Sequence, residues 1–178
     1  IQCNKMNKKF FILPVLARFS KIITCASLDY IKHSDLADFY GKYPEKFRQT
    51  LFGVDMERFK PSVAVKPRRE KIILFVGGLD SQHYFKGLEN LFLAFREIIK
   101  SIPDCSLVVV GEGNLRLRYE ELARNLGIDG KVNFKGAVSN GELPDYYREC
   151  DCFVLPSVNK GEAFGLVLLE AMASGRPV

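Results

Sequence analysis

The stretch CFVLPSVNKGEAFGLVLLEAMASGRPV, Cys152 to Val178, decides how this chain folds. Cys152 to Pro156 is an apolar run of strand length, and Ser157 to Gly161 is a polar loop. From Gly165 the run Leu166, Val167, Leu168, Leu169 continues to Ala173 with no breaker, as a helix would. That helix is apolar on every side and is therefore expected to be buried, so the carboxylate of Glu170 inside it needs a reason to be there.

The reason is found at the start of the helix. The first amides of a helix lack intrahelical partners and lie at the positive end of its dipole, so Phe164, Gly165 and Leu166 are expected to offer donors to an anion. Gly165 removes the side chain that would block the approach. Glu162 precedes Glu170 by eight positions, which at about 100° per residue leaves them about 80° apart and able to face one groove. Acceptor-only carboxylates suit hydroxyls, and hydroxyls beside a phosphate describe a sugar nucleotide. Taken singly, Glu162 could equally be a loop charge and Glu170 a solvated helix residue.

The same alternation recurs upstream. Ile72 to Val76, Leu107 to Val110, Val132 to Phe134 and Phe153 to Leu155 read as strands. Between them Leu88, Leu91, Phe92, Phe95, Ile98 and Ile99 recur at helical spacing, as do Leu115, Tyr119, Leu122 and Leu126, which Gly127 ends. Leu143, Tyr146 and Tyr147 mark a shorter helix. Strand and helix in turn imply an α/β, doubly wound parallel sheet whose ligands lie beyond the carboxyl ends of the strands.

Glu162 and Glu170 within GEAFGLVLLEAMASGRPV match an E-x7-E signature. With FVGGLDSQHYFKG and VNFKGAVSNGELPDYYRECDCFVLPS, the chain from Lys71 onward resembles the retaining glycosyltransferases of the GT-B fold, family 4 (glycosyl transferases group 1). The resemblance implies a sugar transferred from a nucleotide-sugar donor to a sugar, lipid-linked or other acceptor, without a metal or other cofactor. It implies that Glu162 and Lys86 act at the reacting centre. Donor-binding positions by the same resemblance are Gly77, Gly78, Lys86, Val138, Glu162, Ala163, Phe164, Gly165 and Glu170, with Glu170 on the ribose and the Phe164 and Gly165 amides on the diphosphate. Gly78 stands where the family places an arginine, which leaves Gln82 or His83 as replacements; otherwise His83 is a surface loop residue.

Lys86 also stands out on physical grounds. A lysine at a helix N-terminus is misplaced unless an anion offsets the dipole. Gly111-Glu112-Gly113 follows a strand, but Arg116 occupies the third position of GxGxxG and breaks the nicotinamide fingerprint. That weakens an oxidoreductase reading and leaves a tight turn or a nucleotide-facing loop. A non-catalytic sugar-nucleotide-binding protein of the same fold is the other alternative. Ser157 and Asn159 either line the groove or serve as turn residues.

Residues 1–53 read differently. Leu16 to Ser20 ends a helix, Ile22 to Ala26 is a strand expected to be buried, Ser27 caps a helix from Leu28 to about Tyr40, and Phe47 to Phe52 holds a last strand. Too little for a core of its own, this segment is expected to close an N-terminal, acceptor-side Rossmann-like domain. Residues 54–70, with Pro61, Pro67 and a basic tail, read as an interdomain linker. In the resembled family a GVD-x-x-x-F stretch marks this crossing, and Gly53, Val54, Asp55 and Phe59 fit it. Residues 71–178 are then a nucleotide-sugar-binding domain, truncated like the first.

The 178 residues carry a formal charge of +5, too modest to point to nucleic acid. Lys5, Lys8, Lys9 and Lys21 form a solvated face with weak attraction to anionic lipid as a secondary expectation. Five cysteines without a CxxC pair, beside two histidines, indicate neither zinc nor a disulfide framework. They read as reduced thiols of a cytoplasmic protein, at the inner face of the membrane if the lipid contact holds.

Overall fold

The computed structural model describes residues 15–62, 69–159, 162 and 164–178. They form two compact units with the boundary between Phe52 and Gly53.

In the first unit residues 15–19 are helical. Lys46 Nζ donates to the Arg18 carbonyl at 2.9 Å, a cation at the end of the helix where free carbonyls collect. Strands β1 (Ile23–Cys25) and β2 (Phe47–Gln49) pair in parallel, Ile23 opposite Phe47. Ser27 caps the helix that follows β1, its hydroxyl accepting from the Tyr30 amide at 3.2 Å. The single helix expected to reach Tyr40 is instead two, α1 (Leu28–Lys32) and α2 (Ala37–Lys42). Ser34 is the cause: its hydroxyl donates to the Ile31 carbonyl at 2.8 Å and accepts from the Leu36 amide at 3.2 Å, an alternative to the helical ladder. Nor is β1 buried as expected, since Thr24 is exposed and its neighbours are half-buried. Two strands and three short helices enclose little, and the covered centre is Phe47 with Ile31 and Ala17.

The second unit is built on four parallel strands: β3 (Lys71–Val76), β4 (Cys105–Val110), β5 (Val132–Gly136) and β6 (Cys152–Phe153), in the spatial order β5-β4-β3-β6. Between them run α3 (Leu88–Ser101), α4 (Arg116–Asn125) and α5 (Leu143–Glu149), and α6 (Leu166–Ala173) follows β6. The period of two along each strand divides the core. Ile73, Phe75, Leu107 and Val109 join Leu88, Leu91, Phe92 and Phe95 of α3 and Tyr119 and Ala123 of α4 in one apolar cluster. Ile72, Leu74, Val76, Val108 and Val110 join Tyr147 of α5 and Ala171 of α6 in another. Helices therefore cover both faces, and strands buried on both sides read as unbroken apolar runs.

The described part of residues 54–70, read from sequence as a linker, belongs to this unit. Phe59 is buried edge-on against Tyr147, ring centroids 5.8 Å apart, and Asp55 Oδ1 accepts from the amides of Glu57 and Arg58 at 3.0 and 3.2 Å. One expectation fails at the other end. α6 is not buried all round: Ala171 is enclosed, but Leu166 and Met172 are 44% and 57% exposed. β6 is the edge strand, and among the described residues no further strand lies beyond it to carry a layer over the outer face of α6. The Phe153 amide donates to the Pro177 carbonyl at 2.9 Å, so the last residues run beside that edge. Among the described residues no helix is long and apolar enough to cross a membrane.

Candidate functional site

The chain leaves β3 for β4 and β5 on one side, then crosses back to β6 on the other. The crevice beyond the carboxyl end of β3, between β3 and β6, is thus the switch point where such sheets receive ligands. Two loops meet there. Val158 donates its amide to the Phe85 carbonyl at 2.8 Å, and Gly87 lies against Pro156. A Cβ at Gly87 would stand 2.1 Å from the Pro156 carbonyl oxygen, and its φ of 73° is one that L side chains avoid, so only glycine joins the loops this closely.

The junction brings together Lys86 and Glu162, 76 positions apart. Lys86 Nζ donates to Glu162 Oε2 at 2.8 Å, with the two side chains only 14% and 20% exposed. Glu162 Oε1 accepts from the Gly165 amide at 3.0 Å. The free Gly165 amide expected from the sequence is therefore engaged, because Glu162 lies three residues before it and folds back as a cap on α6. Gly165 itself is left-handed at φ 73°. The amides of Leu166 and Val167, next in line, meet no acceptor among the described residues. Phe164 is half-buried and engaged within the protein. Ala163 lies outside the described residues.

Beneath this pair the glycines after β3 make room. A Cβ at Gly77 would come within 2.6 Å of Lys86 Cδ, and one at Gly78 within 2.8 Å of His83 Nδ1. His83 Nδ1 is itself 2.8 Å from Asp80 Oδ2, and that hydrogen bond, with the Gln82 amide, holds the Asp80 carboxyl below the usual range. Glu170 is held elsewhere: its Oε2 accepts from the Tyr147 hydroxyl at 2.7 Å. Burial first, and the Glu170 partner second, push the Tyr147 phenol far above its ordinary value, so it stays a donor. Val138 packs its side chain against the second core cluster. Among the described residues no three His, Cys, Asp or Glu side chains gather as a metal would require.

A family model described as Glycosyl transferases group 1 matches residues 56–178. The chain belongs to that family. This group 1 chain is 40% identical over 138 residues to an uncharacterized glycosyltransferase of Methanocaldococcus jannaschii, a match covering 78% of the chain and 34% of the relative. It is 36% identical over 156 residues to the D-inositol 3-phosphate glycosyltransferase of Corynebacterium kroppenstedtii, again covering 78% and 34%. The chain thus spans about a third of the length of these curated relatives. Sucrose-phosphate synthase from Thermosynechococcus elongatus superposes with a TM-score of 0.77 at 25% identity, covering 97% of the chain and 43% of that structure. The group 1 fold is the GT-B arrangement that the sequence resemblance implied. Family membership also removes the oxidoreductase alternative.

Three polar links were not singled out from sequence, two of them at this group 1 site. Tyr147 was counted only as a helix stripe, and its link to Glu170 spans 23 positions with no local signal. Asp80 carries one, since a carboxylate three residues before a histidine is a turn pair. Arg116, noted only for breaking the glycine pattern, clamps Glu112 and Glu120 at 2.7 and 2.9 Å, and the spacing of four on either side announces it.

Proposed function

We propose that these residues are the donor-side part of a glycosyltransferase that moves a sugar from a nucleotide-sugar donor to an acceptor, with retention and without a metal. The observation that carries the reading is the Lys86–Glu162 pair at the switch point, beside the leading amides of α6. A lysine, a helix start and a glycine floor give a diphosphate charge compensation and close backbone approach. A carboxylate in the same crevice gives sugar hydroxyls an acceptor, and Glu170, the fifth residue of α6, gives one to a ribose through Oε1.

In catalysis the bond between the anomeric carbon and the diphosphate oxygen breaks, negative charge grows on the leaving diphosphate, and the acceptor hydroxyl oxygen bonds the same carbon as its proton passes to the departing phosphate oxygen. Lys86 and the α6 amides stabilise that charge from fixed positions, which is the electrostatic part of the rate enhancement. Before they act, Glu162 must yield the Gly165 amide and the Lys86 ammonium to the phosphate. Its carboxylate then lies beside the donor sugar. The relatives' names include a polyol phosphate acceptor, which fits a soluble or headgroup-borne hydroxyl. Free thiols at Cys25, Cys105, Cys150 and Cys152 fit a reducing cytoplasm.

The test uses the full-length protein and a panel of nucleotide sugars, following release of nucleoside diphosphate. Turnover of one donor is expected, cut severely by Lys86→Ala and Glu162→Ala and left alone by Glu121→Ala on the exposed side of α4. Equal effects from all three refute the assignment. A non-catalytic binding protein is the second reading, favoured by Gly78, and binding without release would establish it.

A further inference from the structure

A cavity of about 360 Å³ lies where the first turns of α3 and α4 meet the loops after β3 and β6. Among the described residues none of Lys86, Glu162 and Glu170 lines it, so it is separate from the donor crevice, although Gly87 and Val158 of the loop junction form part of its wall. One polar group in that wall lacks a partner. Tyr119 is only 3% exposed, and its ring packs edge-on against Phe92 of the core with centroids 6.3 Å apart. Its hydroxyl meets no hydrogen-bond partner among the described residues, and it reaches the cavity rather than being sealed in the core. Buried phenols ordinarily find a partner, so this one points to an occupant of the cavity. Burial first, and the Glu89 charge second, push the phenol above its ordinary value and keep it a hydroxyl.

We propose that this cavity is a carbohydrate-binding site, distinct from the donor crevice, that takes a neutral sugar with one of its hydroxyls on Tyr119. The charges in the wall decide against other ligands. Arg118 Nη2 of α4 lies 3.0 Å from Glu89 Oε1 of α3, so the two cancel, and an anion would meet the carboxylate just as a cation would meet the guanidinium. A sugar hydroxyl both donates and accepts, and here it finds the Arg118 donors, the Glu89 acceptors and both halves of the Asn90 amide. Leu115, Val158 and the ring of Tyr84, the last two 52% and 60% exposed, supply apolar surface for the C–H face of a sugar ring. The cavity falls within the range of about 300–1,000 Å³ that small-molecule sites occupy, which suits a mono- or disaccharide rather than a polymer. A sugar seated there touches both of the loops that meet at Gly87.

The experiment is ligand-observed NMR and calorimetry on the full-length protein with the methyl α- and β-glycosides of glucose, galactose and mannose, with maltose and cellobiose, and with sodium sulfate as an anion probe. At least one sugar is expected to bind, and saturating UDP or GDP should not displace it. Tyr119→Phe keeps the ring on Phe92 and removes no bond that the fold uses, so its unfolding midpoint should match the wild type while sugar binding weakens about fivefold to tenfold. Asn90→Ala should weaken binding to a similar extent, and Glu121→Ala, exposed on the same helix as Tyr119, should leave it unchanged. No binding by any sugar of the panel, or wild-type affinity in Tyr119→Phe, overturns the proposal. Sulfate bound in place of the sugar and lost with Arg118→Ala would make the cavity an anion site and overturn it as well. A sugar displaced by UDP or GDP and indifferent to Tyr119→Phe sits in the donor crevice, which overturns the proposal and leaves the donor-site reading standing. A sugar that depends on Tyr119 in a protein that binds no nucleoside diphosphate supports this site and sinks that reading.

Discussion

Lys86 Nζ lies 2.8 Å from Glu162 Oε2, and the other oxygen of the same carboxylate takes the Gly165 amide. One acid therefore occupies a cation and a helix-start donor at once, the two groups a phosphate would use. Under the donor-site proposal, nucleoside diphosphate and Glu162 are therefore competitors. Glu162→Gln removes the charge but keeps the shape, and it should tighten nucleoside diphosphate binding about threefold to tenfold while lowering nucleotide-sugar turnover at least as much. Titration of the product beside a steady-state assay checks both signs. Weaker product binding would show that the carboxylate does not compete.

Tyr147 and Glu170 make the second link, between α5 and α6. Tyr147→Phe deletes the hydroxyl and leaves the ring packed on Phe59 and Phe153. The expected cost is about 1–2 kcal/mol in denaturant unfolding, since a part-buried carboxylate loses its donor. If Glu170 then wanders from the ribose, KM for the donor rises while kcat changes little. A fall in kcat with unchanged KM would put Glu170 elsewhere in the cycle.

Gly87→Ala tests how the crevice is assembled. The added methyl meets the Pro156 carbonyl, and the left-handed backbone adds strain of about 1 kcal/mol or more. The loops after β3 and β6 should part, so donor binding is expected to drop by more than the stability does. Calorimetry and thermal unfolding of the same variant separate the two effects.

Cys150 provides a pH prediction. Burial pushes its thiol from an ordinary 9.0 up to about 11. The unfolded chain then ionises first as pH rises. Stability from this group is complete below pH 9 and is lost as pH climbs toward about 11, which unfolding midpoints across that window report. At neutral pH Cys150 and Cys105 should resist iodoacetamide in the native protein, while Cys25 and Cys152, less buried, are alkylated first.

Much of this was legible in the residues because it is local. β3 and β4 are apolar runs that end at Gly77 and Gly111, and α3 shows its core stripe directly, with Leu88, Leu91, Phe92 and Phe95 all buried. Long-range polar pairing was not legible. The residues around Glu162 do not themselves indicate Lys86, which only the family resemblance placed at the same centre, and nothing near Tyr147 indicates Glu170; both contacts depend on how the loops and helices of the parallel sheet fall together. The break at Ser34 was missed because a helical pattern of apolar residues outweighed one hydroxyl able to bond its own backbone.

The most direct test of the donor site is a crystal structure of the full-length protein with its nucleoside diphosphate. The diphosphate is expected within hydrogen-bond distance of Lys86 Nζ and the leading amides of α6, with Glu162 drawn off the Gly165 amide. A diphosphate bound elsewhere, with the Lys86–Glu162 pair intact, would contradict the assignment.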